Sequence, residues 1–381
     1  MVFGGMKLNW FSGVLLFIGG NLMAANTSSV IYIGTYTGGK SKGIYSAKFD
    51  SAAGTLGAPE LALEAKNPSF LCLHPGGKYL YSVGEIDSFD GKKSGAVSAY
   101  RIESGGKLSL LNEQASEGTG PCHLALDKSG RCLLVANYGS GSIAALPVGE
   151  NGKLGPASAK VQHAGSSVNK SRQAGPHAHY ITADPWNHFA LTCDLGLDKV
   201  LVYKIEPTKC SLAPNDPPSV SIKPGEGPRH LVFHPTGKWA YVINEMGSSI
   251  TALAYDSKHG RMKEIQMIST IPSGATNHNS GAEIQMHPSG KFLYGSNRGE
   301  NSIAAFAIDQ NSGKLSLLGH QATEGKTPRH FALDPSGKWL LAENQDSDSI
   351  VVLRIDEKAG KLSPTGVKAE VGKPVCVIFG Q

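Results

Sequence analysis

Apolar and polar residues alternate along most of the chain in short runs that are separated by turn residues. The run RHLVFHPTGKWAYVINE begins at Arg229, and the similar run RHFALDPSGKWLLAENQ begins at Arg329. In each run, two alternating stretches flank a Pro-x-Gly turn, a pattern that predicts two strands joined by a tight turn. The pattern therefore favours β-hairpins, and no helix of useful length is predicted.

The same hairpin occurs six times along the chain. The residue before the turn is, in order, His74, Asp127, Asp184, His234, His287 and Asp334, so the copies are 53, 57, 50, 53 and 47 residues apart. Each copy is followed by two more short runs. About four strands in a repeat of about fifty residues is the period of a β-propeller blade.

The two ends of the chain supply the pieces of a further blade. Residues 30–50, VIYIGTYTGGKSKGIYSAKFD, resemble the later strands of a blade, and KPVCVIFG near the C-terminus resembles its missing first strand. Joining the two hides strand edges that would otherwise favour aggregation. The sequence thus predicts an all-β fold, a seven-bladed β-propeller in one domain over residues 26–381, with the last blade closed by N- and C-terminal strands.

Composition agrees with this fold and excludes some partners. The chain of 381 residues has 47 glycines and 21 prolines, which suits many tight turns. Its net charge is only +5, and no block of Lys and Arg occurs, so nucleic acid is not expected as a partner. We expect a monomer that binds a small molecule.

The first 25 residues have the pattern of a secretory signal peptide. Lys7 provides the positive charge, residues 10–18 form a short apolar run, and residues 22–25 offer small side chains for cleavage. The apolar run is too short and too rich in glycine for a good membrane span. The pattern predicts an exported protein, periplasmic or secreted, without a stable span after cleavage. A membrane anchor and a wrongly assigned start codon are the alternatives.

No cofactor is predicted from motifs. The cysteines, Cys72, Cys122, Cys132, Cys193, Cys210 and Cys376, form no CxxC pair, so a cysteine metal site is not expected, and a disulfide remains open. Residues 34–41, GTYTGGKS, match a phosphate-loop pattern, but a strand follows where that chemistry needs a helix. The HAH triplet at 177–179 has no obvious third ligand, so no metal is expected.

Polar residues are predicted to converge at one rim of the central channel. The first strand of each blade lines the channel, so its start meets the end of the second strand at the rim. The first column contains Cys122, His123, His179, Tyr180, Arg229, His230, Ala282, Glu283, Arg329 and His330, and the second contains Asn137, Tyr138, Asp194, Leu195, Asn244, Glu245, Asn297, Arg298, Asn344 and Gln345. Such a gathering of polar groups predicts a binding cleft, although we expect much of the Asn column to hydrogen-bond turn backbone.

Residues 162–179, QHAGSSVNKSRQAGPHAH, precede a first strand at the same rim. This long polar segment is interpreted as a lip or lid that carries His163, Arg172, His177 and His179, because loops on rigid scaffolds often carry function. An exposed linker is the alternative.

Taken in order, RQAGPHAHYITADP with CDLGLDKVLVYKI, GPRHLVFHP with YVINE, and SNRGENSI resemble the seven-bladed propeller lactonases. That family includes the propeller-type 6-phosphogluconolactonase and carboxymuconate-cyclising enzymes. The resemblance covers residues 31–379 and implies catalytic roles for a His of PHAH, for Arg229, for Glu245 and for Arg298. We favour His179 over His177, because His179 aligns with Arg229 in the repeat. The resemblance also implies that no cofactor is needed.

The implied reaction is hydrolysis of a sugar lactone at the channel rim. Glu245 or His179 would act as general base, and Arg229 would stabilise the oxyanion. Arg298 and Arg329 could hold a phosphate or a carboxylate. The further substrate-binding candidates are His123, Tyr138, His177, Asp194, His230, Glu283, Asn297, Arg329 and Gln345. Phosphogluconolactone is a cytoplasmic metabolite, so either the substrate is a different one, such as an unphosphorylated sugar lactone, or the leader prediction is wrong. A carboxymuconate cyclase and a non-catalytic exported scaffold are the rival readings.

Overall fold

The computed structural model describes residues 1–2, 4, 28–275 and 278–380. The predicted leader, residues 1–25, lies almost wholly outside these ranges and stays a prediction. In the described ranges the chain forms 29 strands and two short 3-10 helices, Ser104–Gly106 and Gln345–Ser347. None of the helices described is long and apolar enough to cross a membrane.

The strands form seven antiparallel sheets, which are the blades. Blade 1 contains β5 (Leu71–Leu73), β6 (Tyr79–Gly84), β7 (Ala96–Ile102) and β8 (Leu108–Ala115), and blade 2 contains β9 (Pro121–Leu126), β10 (Cys132–Asn137), β11 (Ser142–Pro147) and β12 (Ala159–Gln162). Blade 3 contains β13 (Ala178–Ala183), β14 (Phe189–Asp194), β15 (Lys199–Glu206) and β16 (Ser211–Ser221), and blade 4 contains β17 (Pro228–Phe233), β18 (Trp239–Asn244), β19 (Ser249–Asp256) and β20 (Arg261–Ser269). Blade 5 contains β21 (Ser280–Met286), β22 (Phe292–Arg298), β23 (Ser302–Ile308) and β24 (Leu315–Ala322), and blade 6 contains β25 (Pro328–Leu333), β26 (Trp339–Asn344), β27 (Ser349–Ile355) and β28 (Leu362–Glu370). Blade 7 contains β29 (Pro374–Phe379), β1 (Ser28–Thr35), β2 (Gly43–Asp50), β3 (Thr55–Leu56) and β4 (Glu60–Glu64).

The predicted closure by both ends of the chain is confirmed. Strand β29 pairs antiparallel with β1, with Val377 opposite Ile33 and Phe379 opposite Ile31. The innermost strands of neighbouring blades contact one another all around the ring, from β5 to β29 and back to β5. The strand β2 follows GTYTGGKS directly, so that segment lacks the helix that a phosphate loop requires.

The hydrophobic core is divided among the interfaces between blades. Seven buried clusters occur in the described ranges, one between each pair of neighbouring blades. Between blades 3 and 4, for example, Leu191 and Val200 pack with Leu231 and Val242. Each blade is too thin to bury its own faces, so burial of apolar surface between neighbours stabilises the ring as a whole.

The residue before each turn has a structural role at the end of the channel opposite the rim. His234 hydrogen-bonds through Nε2 to the carbonyl of Gly290 at 2.9 Å, and His287 does the same to Gly337 at 2.9 Å. Each histidine therefore connects its blade to the turn of the next one. This contact explains why His recurs at a position that lies far from the rim.

A disulfide joins Cys132 in β10 to Cys210 in the turn before β16. The bond connects blades 2 and 3 and resolves the question left open by the sequence. Among the described cysteines, Cys72, Cys122, Cys193 and Cys376 are free.

Candidate active site

A repeated β-bulge at the start of the first strand supplies several side chains of the site. In blade 4, Pro228 pairs with Asn244 and His230 pairs with Ile243, which leaves Arg229 as an extra residue. The same shift makes His179 the extra residue in blade 3 and Arg329 in blade 6. Bulges of this kind re-aim a side chain next to an active site, so the bulge gives these three residues a distinct direction.

Glu245 lies at the end of β18 and is clamped by three arginines. Its Oε1 accepts a hydrogen bond from Arg172 Nη2 at 2.5 Å, and its Oε2 accepts one from Arg229 Nε at 3.2 Å. Arg298 Nη2 lies 2.9 Å from the same Oε2. The Glu245 and Arg229 side chains are only 7% and 3% exposed, so little solvent weakens these contacts.

The clamp sets the charge of the site. Burial favours a raised pKa for Glu245, but Arg298 and Arg229 outweigh burial and hold the pKa well below its usual range. Burial, together with Arg298 and Arg329, lowers the pKa of Arg229 to about 9. At neutral pH, three guanidiniums against one carboxylate leave a net charge of +2, which suits an anion or a developing oxyanion.

His179 lies beside the clamp as a neutral imidazole. Its ring centroid is 5.2 Å from that of His230 and 5.5 Å from that of Tyr138. Burial, and then Arg229, lower its pKa well below the ordinary value. Nδ1 is buried and has no hydrogen-bond partner among the described residues, so no protein group competes for its proton or lone pair.

The segment before β13 forms an ordered lip over the rim. Asp194 holds both of its ends: Oδ2 lies 2.6 Å from Nδ1 of His163, and Oδ1 accepts from the backbone N–H of His177 at 2.8 Å. Arg172 extends from the lip to Glu245 and donates to the Tyr138 hydroxyl at 3.3 Å. The geometry thus favours the lip over the exposed linker and gives Asp194 and His163 structural contacts.

His177 and Tyr138 lie together at the edge of the lip. Their rings stack with centroids 4.5 Å apart and an interplanar angle of 21°. The imidazole also hydrogen-bonds through Nδ1 to the carbonyl of Tyr138 at 3.0 Å. His177 is therefore held by Tyr138, whereas His179 faces the clamp.

A second layer of buried histidines and glutamates lies below the rim. His230 Nδ1 bonds Glu283 at 2.8 Å, and His330 Nδ1 bonds Glu343 at 2.7 Å. The ring centroid of His123 lies 4.2 Å from that of Phe70. We call this layer the floor of the channel.

The floor is held in neutral form. Burial raises the pKa of Glu283 to about 8 and that of Glu343 well above its usual range. Burial lowers the pKa of His230 well below its usual value, and that of His330 to about 3. Uncharged acid–histidine pairs avoid the large cost of unpaired buried charge.

Two predicted binding residues have other partners. Asn297 is fully buried; its amide donates to the Thr270 carbonyl at 2.7 Å and accepts from the Thr270 hydroxyl at 2.7 Å. Gln345 lies in the second 3-10 helix and donates to the side chain of Asp346 at 2.9 Å. Asn297 thus has the turn-holding role expected for much of its column.

Sequence reasoning missed three residues of the site, namely Tyr36, Ser69 and Glu85. The Tyr36 hydroxyl donates to Glu85 at 2.9 Å, and the Ser69 hydroxyl donates to the same carboxylate at 2.5 Å. The Arg329 guanidinium carbon lies 5.5 Å from the centroid of the Tyr36 ring. The signal was present, because Ser69 and Glu85 occupy in the first hairpin the positions of Arg229 and Glu245 in the fourth.

The described residues include no group of three or more His, Cys, Asp or Glu side chains arranged to hold a metal ion.

The family profile described as "Lactonase, 7-bladed beta-propeller" matches residues 30–379. The chain belongs to this family.

Relatives within and around the lactonase family support the assignment. The chain is similar to the 6-phosphogluconolactonase of Bacillus subtilis, with 37% identity over 80% of this chain and 85% of the relative. It is also similar to the 6-phosphogluconolactonase of Formosa agariphila, with 36% identity over 79% and 85% of the two chains. Among solved structures, the periplasmic gluconolactonase PpgL of Pseudomonas aeruginosa matches at 32% identity and a TM-score of 0.88, covering 93% of this chain and 99% of that chain.

Proposed function

We propose that the protein hydrolyses a sugar lactone to the open-chain acid at the rim of its channel. The proposal rests on the clamp, in which Glu245 forms ion pairs with Arg172, Arg229 and Arg298. A neutral His179 lies beside it. The site combines a net positive charge, which stabilises a developing oxyanion, with an unprotonated base, which can activate water. The names of the related proteins support the same reaction class.

His179 is the proposed general base. In the first step, a water oxygen attacks the lactone carbonyl carbon while the imidazole takes the water proton. A neutral imidazole whose Nδ1 bonds no residue in the described part of the chain suits this role. Glu245 suits it less, because both of its oxygens are occupied by arginines that hold its pKa low.

The arginines are proposed to stabilise the intermediate. Attack places negative charge on the former carbonyl oxygen, and preorganised guanidinium groups stabilise such charge strongly in a buried site. Arg229 and Arg298 are fixed for this role by their bonds to Glu245 and to the carbonyls of Ala282 and Gly281. When the intermediate collapses, the bond from the carbonyl carbon to the ring oxygen breaks, and the imidazolium returns its proton to that oxygen.

Export to the periplasm or the medium is part of the proposal. The leader-like residues 1–25 and the Cys132–Cys210 disulfide both fit an oxidising compartment. One structural relative is named as a periplasmic gluconolactonase. The mass of the mature N-terminus tests this point, because an intact Met1 in exported protein would contradict leader cleavage.

The function is tested with purified mature protein and a panel of lactones, with proton release as the readout. We expect D-glucono-1,5-lactone or its 6-phospho derivative to be hydrolysed far above the spontaneous rate. His179→Asn should abolish most of the enhancement, whereas His259→Asn, which changes an exposed histidine that contacts Asp256, serves as the matched control. Absence of turnover with every lactone would sink the proposal, and turnover of a carboxymuconate instead would favour a cyclase.

A further inference from the structure

Glu85 and Glu245 hold equivalent positions in the repeated hairpin, yet their partners differ. Glu245 binds guanidinium groups from three different segments, whereas Glu85 binds the hydroxyls of Tyr36 and Ser69. The two glutamates are three blades apart around the ring, so they face the channel from different sides. Two equivalent positions of the repeat thus hold glutamates with different chemistry.

Arg329 lies beside Glu85 with its hydrogen-bonding capacity unused. The guanidinium stands over the ring of Tyr36, and none of its N–H groups makes a hydrogen bond to any residue within the described ranges. A narrow cavity is bordered by Tyr36, Ser69, Glu85 and Arg329, and it also reaches Arg229 of the clamp. The cavity thus connects the clamp with Glu85.

We infer that Tyr36, Ser69, Glu85 and Arg329 form a subsite for the hydroxyl groups of the sugar ring. We call these four residues the hydroxyl subsite. A neighbouring pair of hydroxyls needs both an acceptor for its O–H groups and a donor for its oxygens. Glu85 provides the acceptor and Arg329 provides the donors, and the hydroxyls of Tyr36 and Ser69, whose protons are donated to Glu85, can accept through their oxygens.

Charge distinguishes this subsite from one for a phosphate. The positive charge of Arg329 is offset by Glu85, so the hydroxyl subsite is neutral, whereas the clamp carries a net charge of +2. A phosphate next to Glu85 would meet a like charge, which disfavours anions. The inference rests on the proposed lactone hydrolysis, and it adds that polyol hydroxyls are recognised on the Glu85 side.

The test compares two lactones that share the ester and differ in hydroxyls, D-glucono-1,5-lactone and δ-valerolactone. The ratio of their kcat/KM values is measured for the wild type, Glu85→Gln and the matched variant Glu245→Gln. We expect Glu85→Gln to lower the ratio by about tenfold to a hundredfold, the size of a hydrogen bond to a charged group. Glu245→Gln should lower both rates and leave the ratio within about threefold.

A titration with D-glucono-1,5-lactam, an analogue that is not hydrolysed as an ester, gives a readout free of turnover. Its dissociation constant should rise about tenfold or more in Glu85→Gln. An unaltered ratio together with unaltered lactam binding would overturn the inference. In Glu85→Gln, a rise in kcat/KM for the 6-phospho lactone relative to the unphosphorylated one would support the subsite, because the variant lacks the negative charge of Glu85. In Arg329→Gln, a fall in kcat/KM for the 6-phospho lactone alone would overturn the inference in favour of a phosphate site. Failure of wild-type protein to hydrolyse any lactone would instead count against the proposed function.

Discussion

Glu245 and Glu283 are both buried in the channel, but their surroundings give them opposite protonation states. Arginines outweigh the burial of Glu245 and keep it ionised, whereas burial raises the pKa of Glu283 to about 8 and keeps it protonated at neutral pH. The difference lies in the partners, because Glu283 bonds a neutral histidine where Glu245 bonds guanidiniums. When two carboxyl groups differ in pKa because their surroundings differ, they can serve different roles. Here Glu245 is a charged group and Glu283 is an uncharged one.

The comparison divides the channel into a charged rim and a neutral floor. The clamp at the rim carries a net positive charge, which suits stabilisation of an oxyanion. The histidines and glutamates of the floor pair with each other. We therefore expect substitutions at the rim to act on turnover and substitutions in the floor to act on stability.

Loss of Arg229 should produce the largest effect. Arg229→Ala removes a fixed positive charge from the rim and leaves Glu245 with fewer partners, so we expect kcat/KM to fall by about 10³-fold. Arg261→Ala, at the exposed start of β20, is the matched control and should retain the wild-type value. A loss below about threefold in Arg229→Ala would remove this arginine from the reaction.

Substitution of Glu245 should lower activity more than substitution of Glu283. Glu245→Gln weakens the clamp, and we expect kcat/KM to fall by about 10²-fold. Glu283→Gln keeps a neutral group that can bond His230, so we expect kcat/KM of this variant to fall by less than about tenfold. Equal losses in the two variants would contradict the division into rim and floor.

The floor should make stability depend on pH. The folded pKa of Glu283, about 8, lies above that of an unfolded glutamate, so its contribution is fully present below about pH 4.5 and is lost as pH rises toward 8. We expect the unfolding free energy of the wild type to fall relative to Glu283→Gln by about 1–3 kcal/mol between pH 5 and pH 8. Denaturant unfolding at both pH values measures this difference, and Glu264→Gln, on an exposed part of β20, should show no such change.

Arg172 should matter less than the other two arginines of the clamp. Its side chain is 43% exposed, and solvent weakens the ion pair with Glu245. We expect Arg172→Ala to lower kcat/KM by about threefold to tenfold, mainly through KM. A loss as large as that of Arg229→Ala would mean that the lip contributes directly to the transition state.

The smallest effect concerns the pH profile near neutrality. Because burial and Arg229 lower the pKa of His179 well below 6.5, we expect kcat/KM to stay level from pH 8 to pH 6, after correction for spontaneous hydrolysis. A half-loss of activity near pH 6.5 would show that the base is an ordinary, solvated histidine.

Most of the fold could be predicted from the sequence, because each blade repeats the same hairpin. The alternation of residues and the turn signals depend on local physics, so six blades were visible directly. The pairing of β29 with β1 followed from the incomplete blade at each end and is confirmed. The disulfide could not be predicted, because Cys132 and Cys210 are 78 residues apart and meet only through the packing of neighbouring blades.

The site was harder to predict, because its residues gain their roles from bulges and from contacts between blades. The alternating pattern identifies Arg229 and Glu245 at one rim, but it does not show that a bulge separates Arg229 from His230. Nor does it separate the rim from the floor, so His230 and Glu283 were grouped with the rim. Tyr36 was missed because it belongs to the blade that the two ends share.

The closure of blade 7 has a consequence for the order of events during synthesis. The strand β29, residues 374–379, follows the strands of the six other blades in chain order, and it completes the ring of inner strands that begins at β5. Six blades can form while the chain emerges, but the ring stays open until the final strand arrives beside β1. Blade 7 is therefore the last blade of the ring to be completed, and until β29 arrives β1 is paired with β2 alone.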